Sequence, residues 1–385
     1  FAVGRAAQAS PVRMYRKLEK PGTKWHWQGY ASLAGNICLM AFYTVVTGWL
    51  IYYFVQFVTG HNEGLAFAPM IQNPTLNVTY LAVTVVLGFG ILCFHLQGGL
   101  ERVTKYMMTI LLLLMVVLAI HSGTLSGAKE GLKFYLVPDF GKINGEVIVG
   151  AMNQAFFTLS LGIGSMAIFG SYIGKERSLL GESVNVILLD TFVAVVAGLI
   201  IFPACFTFNV EVNAGPSLLF DTMASVFNHM AGGRWGSLFF LFMVFAALST
   251  VLAVCENILA CVRELTGWGR IKGCLICGIG VFLLALTTAL GYSKFSGFQP
   301  FAEGSAWLDL WDFIVSNNLL PLGSLVITLF CCSKRFGWGW DALVAEANEG
   351  KGLKVKNWMK PVFMFVVPVA IIVIYVYGMA TFNWR

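Results

Sequence analysis

Long apolar stretches, separated by short polar segments, recur along almost the whole chain. A helix needs about 20 mostly apolar residues to cross the roughly 30 Å hydrocarbon core of a bilayer. The pattern therefore predicts membrane-spanning helices, several of them long enough to tilt in the bilayer. We place nine complete spans at about 27–57, 78–98, 104–121, 146–172, 182–206, 236–263, 272–293, 308–332 and 359–381.

The composition supports a membrane protein. Of 385 residues, 58% are apolar and 11% are charged, whereas soluble domains carry about 25% charged residues. So few charges cannot cover a water-facing surface, so the lipid bilayer is the expected solvent. The net charge of +6 does not indicate a nucleic-acid partner, because the lysines and arginines form short clusters between apolar runs. The nine cysteines lie in or beside apolar segments, so no disulfide framework is expected.

The distribution of positive charge gives the orientation of the spans. If the first segment ends in the cytoplasm, 19 of the 25 lysines and arginines lie in cytoplasmic segments and six in outer ones. This bias agrees with the positive-inside rule across every span, and therefore supports the number of helices as well as their direction. The outer segment at 207–235 predicts either an ordinary surface loop or a re-entrant cap.

The first residues look like the end of a helix. Phe1 to Gly4 are mostly apolar and are followed by Arg5. We therefore expect that the sequence is truncated at its N-terminus. Residues 1–385 are predicted to form a single transmembrane domain that is all-α and polytopic, with a helix remnant at 1–4 and complete helices between about 27 and 381.

The span at 146–172 has a polar and glycine-rich middle. Thr158, Ser160, Gly162 and Gly164 lie there between apolar arms. Glycine lowers helix stability by about 1 kcal/mol relative to alanine, and freed backbone groups inside a bilayer must face protein or a watery cavity. A discontinuous helix would turn those groups toward a ligand, as transporters do. The alternative is a face of small residues on which another helix packs.

Several segments resemble the neurotransmitter:sodium symporter family, which has the leucine-transporter fold. Residues 156–164, read as FFTLSLGIG, are similar to the family's sixth helix. The other similar segments contain Tyr43 and Gly48-Trp49 (helix three), Asp190-Thr191 (helix seven), Ala246 to Thr250 (helix eight) and Asp312 (helix ten). The resemblance implies an inverted-repeat helix bundle in which 1–4 end helix two, the nine spans are helices three to eleven, and helix one is missing.

The resemblance also implies a substrate site. Tyr43 matches a tyrosine that holds the carboxylate of an amino-acid substrate, although a lone tyrosine in a helix is more often a packing residue. Phe157 would close the site, and Leu39 and Ile163 make it apolar, which favours a hydrophobic or aromatic amino acid. The full set of substrate-binding residues is expected to be Leu39, Tyr43, Phe157, Thr158, Ser160, Ile163, Thr250 and Val254.

Two sodium sites follow from the same resemblance. One would use Thr158 and Asp190, and the other would use Ser249 and Thr250, for which back-bonding within the helix is the alternative role. Many relatives carry Asn in place of Asp190, and some of those need chloride. An intramembrane carboxylate is usually functional, so we expect Asp190 to supply that negative charge and transport to need no chloride.

The gates are expected at both ends of the bundle. Asp312 matches an acidic residue of the family's outer gate, and Glu264 with Tyr172 matches its inner gate. The sequence thus predicts a sodium-coupled amino-acid symporter of the bacterial inner membrane that works by alternating access. The alternative is an inactive truncated fragment that lacks the helix-one half of its sites. An enzyme is not expected, because the sequence has no metal-ligand cluster, nucleophile elbow or phosphate loop.

Overall fold

The computed structural model describes residues 1–94, 100–210, 212, 215–228 and 234–382. Within these ranges the chain is helical, and its only β-type pairing is an isolated bridge between Arg177 and Lys351. The helices are, in order, α1 (Ala2–Ala7), α2 (Pro11–Leu18), α3 (His26–Thr59), α4 (Phe67–Ile71), α5 (Pro74–Cys93), α6 (Leu100–Gly123), α7 (Ala128–Leu136), α8 (Gly145–Thr158), α9 (Ser165–Tyr172), α10 (Leu179–Thr207), α11 (Met223–Asn228), α12 (Arg234–Thr266), α13 (Arg270–Ala289), α14 (Trp307–Asp312), α15 (Leu320–Cys332), α16 (Trp340–Ala347), α17 (Met359–Pro361) and α18 (Val367–Thr381).

Among the described residues, eight of the predicted spans are continuous helical segments that are long and apolar enough to cross a membrane. A π-helical turn joins α14 to α15 and another joins α17 to α18, so each pair forms one continuous helical segment. The span predicted at 78–98 begins earlier, at Pro74, because the Asn73 side chain caps the helix by accepting a hydrogen bond from the Leu76 backbone at 3.1 Å. Its predicted last residues, 95–98, lie outside the described residues.

The centre of the bundle is formed by α3 and α12, which pack along each other and against α5 and α13. Near the outer ends of these helices, the rings of Tyr53 and Phe240 lie 5.3 Å apart, and Phe220 packs 5.1 Å from Tyr53. Phe220 comes from a helical segment, Leu218–Thr222, which continues into α11. Because Phe220 and Phe227 are fully buried, this outer segment covers the bundle as a packed cap.

The end of the bundle that the charge bias assigns to the cytoplasm contains two short helices that the sequence pattern did not predict, α2 and α16. Arg5 at the end of α1 is fully buried and pairs with Glu346 of α16 at 2.6 Å. Its guanidinium also donates to the backbone carbonyls of Gly174, at 3.3 Å, and Arg177, at 2.8 Å. One cation thereby joins α1, α16 and the loop between α9 and α10.

Candidate functional site

The span predicted at 146–172 is broken in the structure. Helix α8 ends at Thr158 and α9 begins at Ser165. Between them Ser160, Gly162 and Gly164 have positive φ angles of 48°, 84° and 77°, the left-handed region that ends helices. The predicted discontinuity is therefore confirmed, and the backbone from 159 to 164 turns through the interior of the bundle.

Two amides of α3 hold the broken segment in place. The Asn36 side chain donates to the carbonyl of Ile163 at 2.6 Å and accepts from the Ser165 hydroxyl at 3.0 Å. The Gln28 side chain donates to the carbonyl of Gly162 at 3.1 Å. These bonds satisfy backbone groups that the break removes from the helical pattern. Neither residue was predicted, although a polar side chain such as Asn36 inside an apolar span often has a functional or structural role.

Glycines let α15 approach the break closely. A Cβ atom on Gly162 would collide with the carbonyl oxygen of Leu320 and lie 2.7 Å from the backbone nitrogen of Ser324. A Cβ atom on Gly323 would collide with the carbonyl oxygen of Gly162. The backbones of the break and α15 are therefore in direct contact, and side chains at these two positions are excluded.

The break brings two of the predicted sodium ligands together. The Thr158 hydroxyl, in the last residue of α8, donates to the Asp190 carboxylate of α10 at 2.7 Å. Asp190 is half-buried and has no basic partner among the ion pairs of the described residues. A hydroxyl and an unpaired carboxylate beside freed backbone are hard oxygen donors, the ligand type that alkali and alkaline-earth cations prefer.

Several of the predicted substrate residues lie in one apolar cluster. The rings of Tyr43 and Phe157 lie 6.5 Å apart, and Thr250 of α12 is a hydrogen-bonding neighbour of the Tyr43 side chain. Leu39, Ile163 and Val254 are buried in the same apolar cluster, against which Tyr43 and Phe157 pack. Ser160 and Gly162 line a neighbouring cavity of about 240 Å³.

Ser249 differs from its neighbour Thr250 in its surroundings. The Ser249 hydroxyl donates to the carbonyl of Ala246 at 2.7 Å, so it bonds back to its own helix in the structure. This is the alternative role that the sequence left open for a serine in this position. Because the hydroxyl donates its hydrogen in this bond, the lone pairs of the Ser249 oxygen remain able to coordinate a cation.

The predicted gate residues lie at both ends of the bundle. Asp312 accepts a hydrogen bond from the Ser316 hydroxyl at 2.6 Å. Glu264 accepts from the hydroxyl of Ser10, at 2.6 Å, and from its backbone amide, at 3.0 Å, and so holds the first residues of α2.

Tyr172 has a different acidic partner from the one its predicted gate role suggests. Its hydroxyl donates to Glu256 at 3.5 Å, and Glu256 pairs with Arg270 of α13 at 2.7 Å. Glu256 is buried in the middle part of α12, and Arg270 also donates to the carbonyl of Leu92 at 2.6 Å. From the sequence alone, Glu256 could serve as a proton or hydrogen-bond relay without a firm role, and the pattern did not indicate Arg270 as its partner.

Comparisons with known proteins agree with the geometry. The model of the "Sodium:neurotransmitter symporter family" matches residues 61–384. The chain is 36% identical to "Uncharacterized sodium-dependent transporter YhdH" of Bacillus subtilis, covering 97% of the chain and 84% of that protein. It is 32% identical to an "Uncharacterized sodium-dependent transporter" of Haemophilus influenzae, covering 97% of the chain and 84% of that protein.

Among solved structures, the chain is similar to MhsT in complex with L-phenylalanine, with 32% identity and a TM-score of 0.87. The match covers 97% of this chain and 86% of that one. A more distant relative is "Sodium-dependent nutrient amino acid transporter 1" of Drosophila melanogaster, 25% identical over 69% of the chain and 41% of that protein.

Proposed function

Because the chain belongs to the sodium:neurotransmitter symporter family, we propose that it carries a hydrophobic or aromatic amino acid together with sodium by alternating access. The family is one of sodium-dependent transporters rather than enzymes, and the eight long apolar helices of the described residues agree with a multi-pass membrane protein. The observation that supports the proposal most is the broken span, in which Thr158 meets Asp190 at 2.7 Å.

The two half-helices offer opposite partial charges to a zwitterion and a cation. The C-terminal end of α8 at Thr158 is the negative end of a helix dipole, and the N-terminal end of α9 at Ser165 is a positive end. A sodium ion is favoured at the first and a carboxylate at the second. A continuous helix would present neither end inside the bilayer.

The side chains around the break support an apolar substrate. Leu39, Ile163 and Val254 are buried in one cluster, and we propose that they surround the substrate side chain. Phe157 would cover it and the Tyr43 phenol would donate to its carboxylate. The relative MhsT was solved with L-phenylalanine, which is consistent with an aromatic substrate.

We assign one sodium ion to Thr158 and Asp190 and a second to Ser249 and Thr250. Because Asp190 has no basic partner among the described ion pairs, its negative charge is available to balance an ion. Transport should then need no chloride. Asp312 would act at the outer gate and Glu264 with Tyr172 at the inner one, in the bacterial inner membrane.

Uptake into proteoliposomes tests this function. The full-length protein should accumulate labelled L-phenylalanine when sodium is outside and potassium inside, and should lose uptake when potassium replaces sodium. Thr158→Ala and Asp190→Ala should each reduce sodium-driven uptake about tenfold or more, because each removes a hydrogen bond or a ligand that involves a charge.

The matched control is Thr109→Ala. The Thr109 hydroxyl bonds back to Lys105 of α6 at 2.8 Å, away from the break, so uptake should stay at the wild-type level. Sodium-driven uptake that is equal in all four proteins would refute the site. Uptake that disappears when gluconate replaces chloride would refute the role of Asp190 as the negative charge.

A further inference from the structure

An apolar groove runs between α5 and α13 on the outside of the bundle. It has a volume of about 310 Å³, at the lower end of the range for pockets that hold small ligands. Its walls include Val86 and Gly90 of α5 and Leu275 and Ile279 of α13. Val86, Leu275 and Ile279 are exposed by 69%, 61% and 60% of their surface, so the groove opens toward the surrounding lipid.

The groove exists because glycine occupies positions where side chains would fill it. Nothing lies within 4 Å of a Cβ atom placed on Gly90, and only the Phe89 ring is close to one placed on Gly278. In a bilayer such a space must be filled by lipid tails or by another protein, since an empty cavity leaves its lining atoms without contacts.

A basic residue on α13 precedes the groove-lining residues of that helix by about one turn. Lys272 is three and seven residues before Leu275 and Ile279, which places all three on one face of α13. Lys272 stacks over the Trp268 ring at 5.0 Å, and within the described part of the chain no carboxylate forms an ion pair with it. A tryptophan and a lysine together are typical of the interface between hydrocarbon and water.

The charge bias of the sequence places Lys272 on the cytoplasmic side, where bilayers carry anionic lipids. We propose that the groove between α5 and α13 binds one anionic phospholipid, with an acyl chain between Gly90 and Ile279 and the phosphate on Lys272. Arg270 already pairs with Glu256 at 2.7 Å, and the Arg263 side chain lies against Gly273. Lys272 is exposed, so we assign recognition of the headgroup to Lys272.

Native mass spectrometry of the full-length protein in detergent tests the site. Dioleoyl-phosphatidylglycerol and dioleoyl-phosphatidylcholine share their acyl chains and differ in charge. Wild-type protein should bind the anionic lipid with a Kd about fivefold lower, the effect of one basic residue at an anionic surface. Lys272→Gln should remove this preference, and Lys294→Gln, which changes a lysine assigned to the outer side, should keep it.

Gly90→Leu tests the acyl-chain part of the groove. The leucine has space and fills the groove, so binding of both lipids should weaken several-fold. Gly280→Leu is the matched control, because a Cβ atom there also has nothing within 4 Å and Gly280 does not line the groove; it should bind lipid as wild type does.

Three results would overturn the proposal. Equal affinity of wild-type protein for the two lipids would remove the headgroup site. Equal binding by the Gly90→Leu and Gly280→Leu variants would remove the acyl-chain site. A dimer mass that Gly90→Leu alone abolishes would show that a second copy of the chain occupies the groove instead of lipid.

Discussion

Replacing Gly162 with alanine tests how tightly the broken segment is held against α15. Gly162 has a φ of 84°, and its missing Cβ leaves room for the carbonyl of Leu320 and the backbone of Ser324. Alanine adds two separate costs. The left-handed backbone costs an L-residue about 1–2 kcal/mol, and the added methyl group overpacks the contact by about 1–3 kcal/mol.

A second glycine separates these two costs. Gly60 ends α3 with a φ of 77°, and nothing lies within 4 Å of a Cβ atom placed there. Gly60→Ala therefore has the backbone cost without the collision. Gly162→Ala should be less stable than Gly60→Ala by the overpacking cost, about 1–3 kcal/mol.

Thermal unfolding of the full-length protein, followed by scanning fluorimetry in detergent, measures the difference. At about 1.2 °C per kcal/mol for a chain of this size, Gly162→Ala should have a Tm about 1–4 °C below that of Gly60→Ala. It should also lower sodium-driven uptake, because α15 and the break can no longer meet at the same distance. If the two variants have the same Tm, the close contact between Gly162 and Leu320 is not present.

Two further changes address groups that the sequence pattern did not indicate. Asn36→Ala leaves the buried carbonyl of Ile163 without its 2.6 Å partner, so it should lower stability by about 1–3 kcal/mol and reduce uptake; Ser32→Ala, which removes a buried hydroxyl that has no hydrogen-bond partner, should change neither. Glu256→Gln leaves the largely buried Arg270 without its carboxylate, which should cost about 3–5 kcal/mol in unfolding experiments. The double variant with Arg270→Gln should lose less than the sum of the single losses, whereas additive losses would show that the pair is not coupled.

The apolar pattern predicts the long spans well because each must cross the hydrocarbon core. The same pattern says little about α2 and α16, which are too short to cross and depend on tertiary contacts. Ser10 followed by Pro11 is nevertheless a typical helix start, and it indicates from the sequence where α2 begins. The span predicted at 78–98 starts at Pro74 in the structure, because Asn73 caps the helix and this role does not show in the apolar pattern.

The candidate site also has one part that local sequence predicts and another that depends on tertiary contacts. The Gly-rich middle of the span at 146–172 predicts the break, since glycine and freed backbone are local properties of the chain. The contacts of Asn36 with Ile163 and of Tyr172 with Glu256 join residues 127 and 84 positions apart. Local pattern does not determine such pairs, and they depend on how α3, α9 and α12 pack.

The burial of Arg5 has a consequence for how the protein can change shape. If α1, α16 and the loop after α9 moved apart, the buried Arg5 guanidinium would lose both its carboxylate partner, Glu346, and its backbone carbonyl acceptors. Leaving a buried charge without partners is strongly destabilising. We expect these three pieces to travel as one rigid unit during the transport cycle. Residues 159–164, where left-handed backbone already replaces the helix, are an expected place for bending. A spin-label pair on α1 and α16 should keep its separation while the cavity opens and closes.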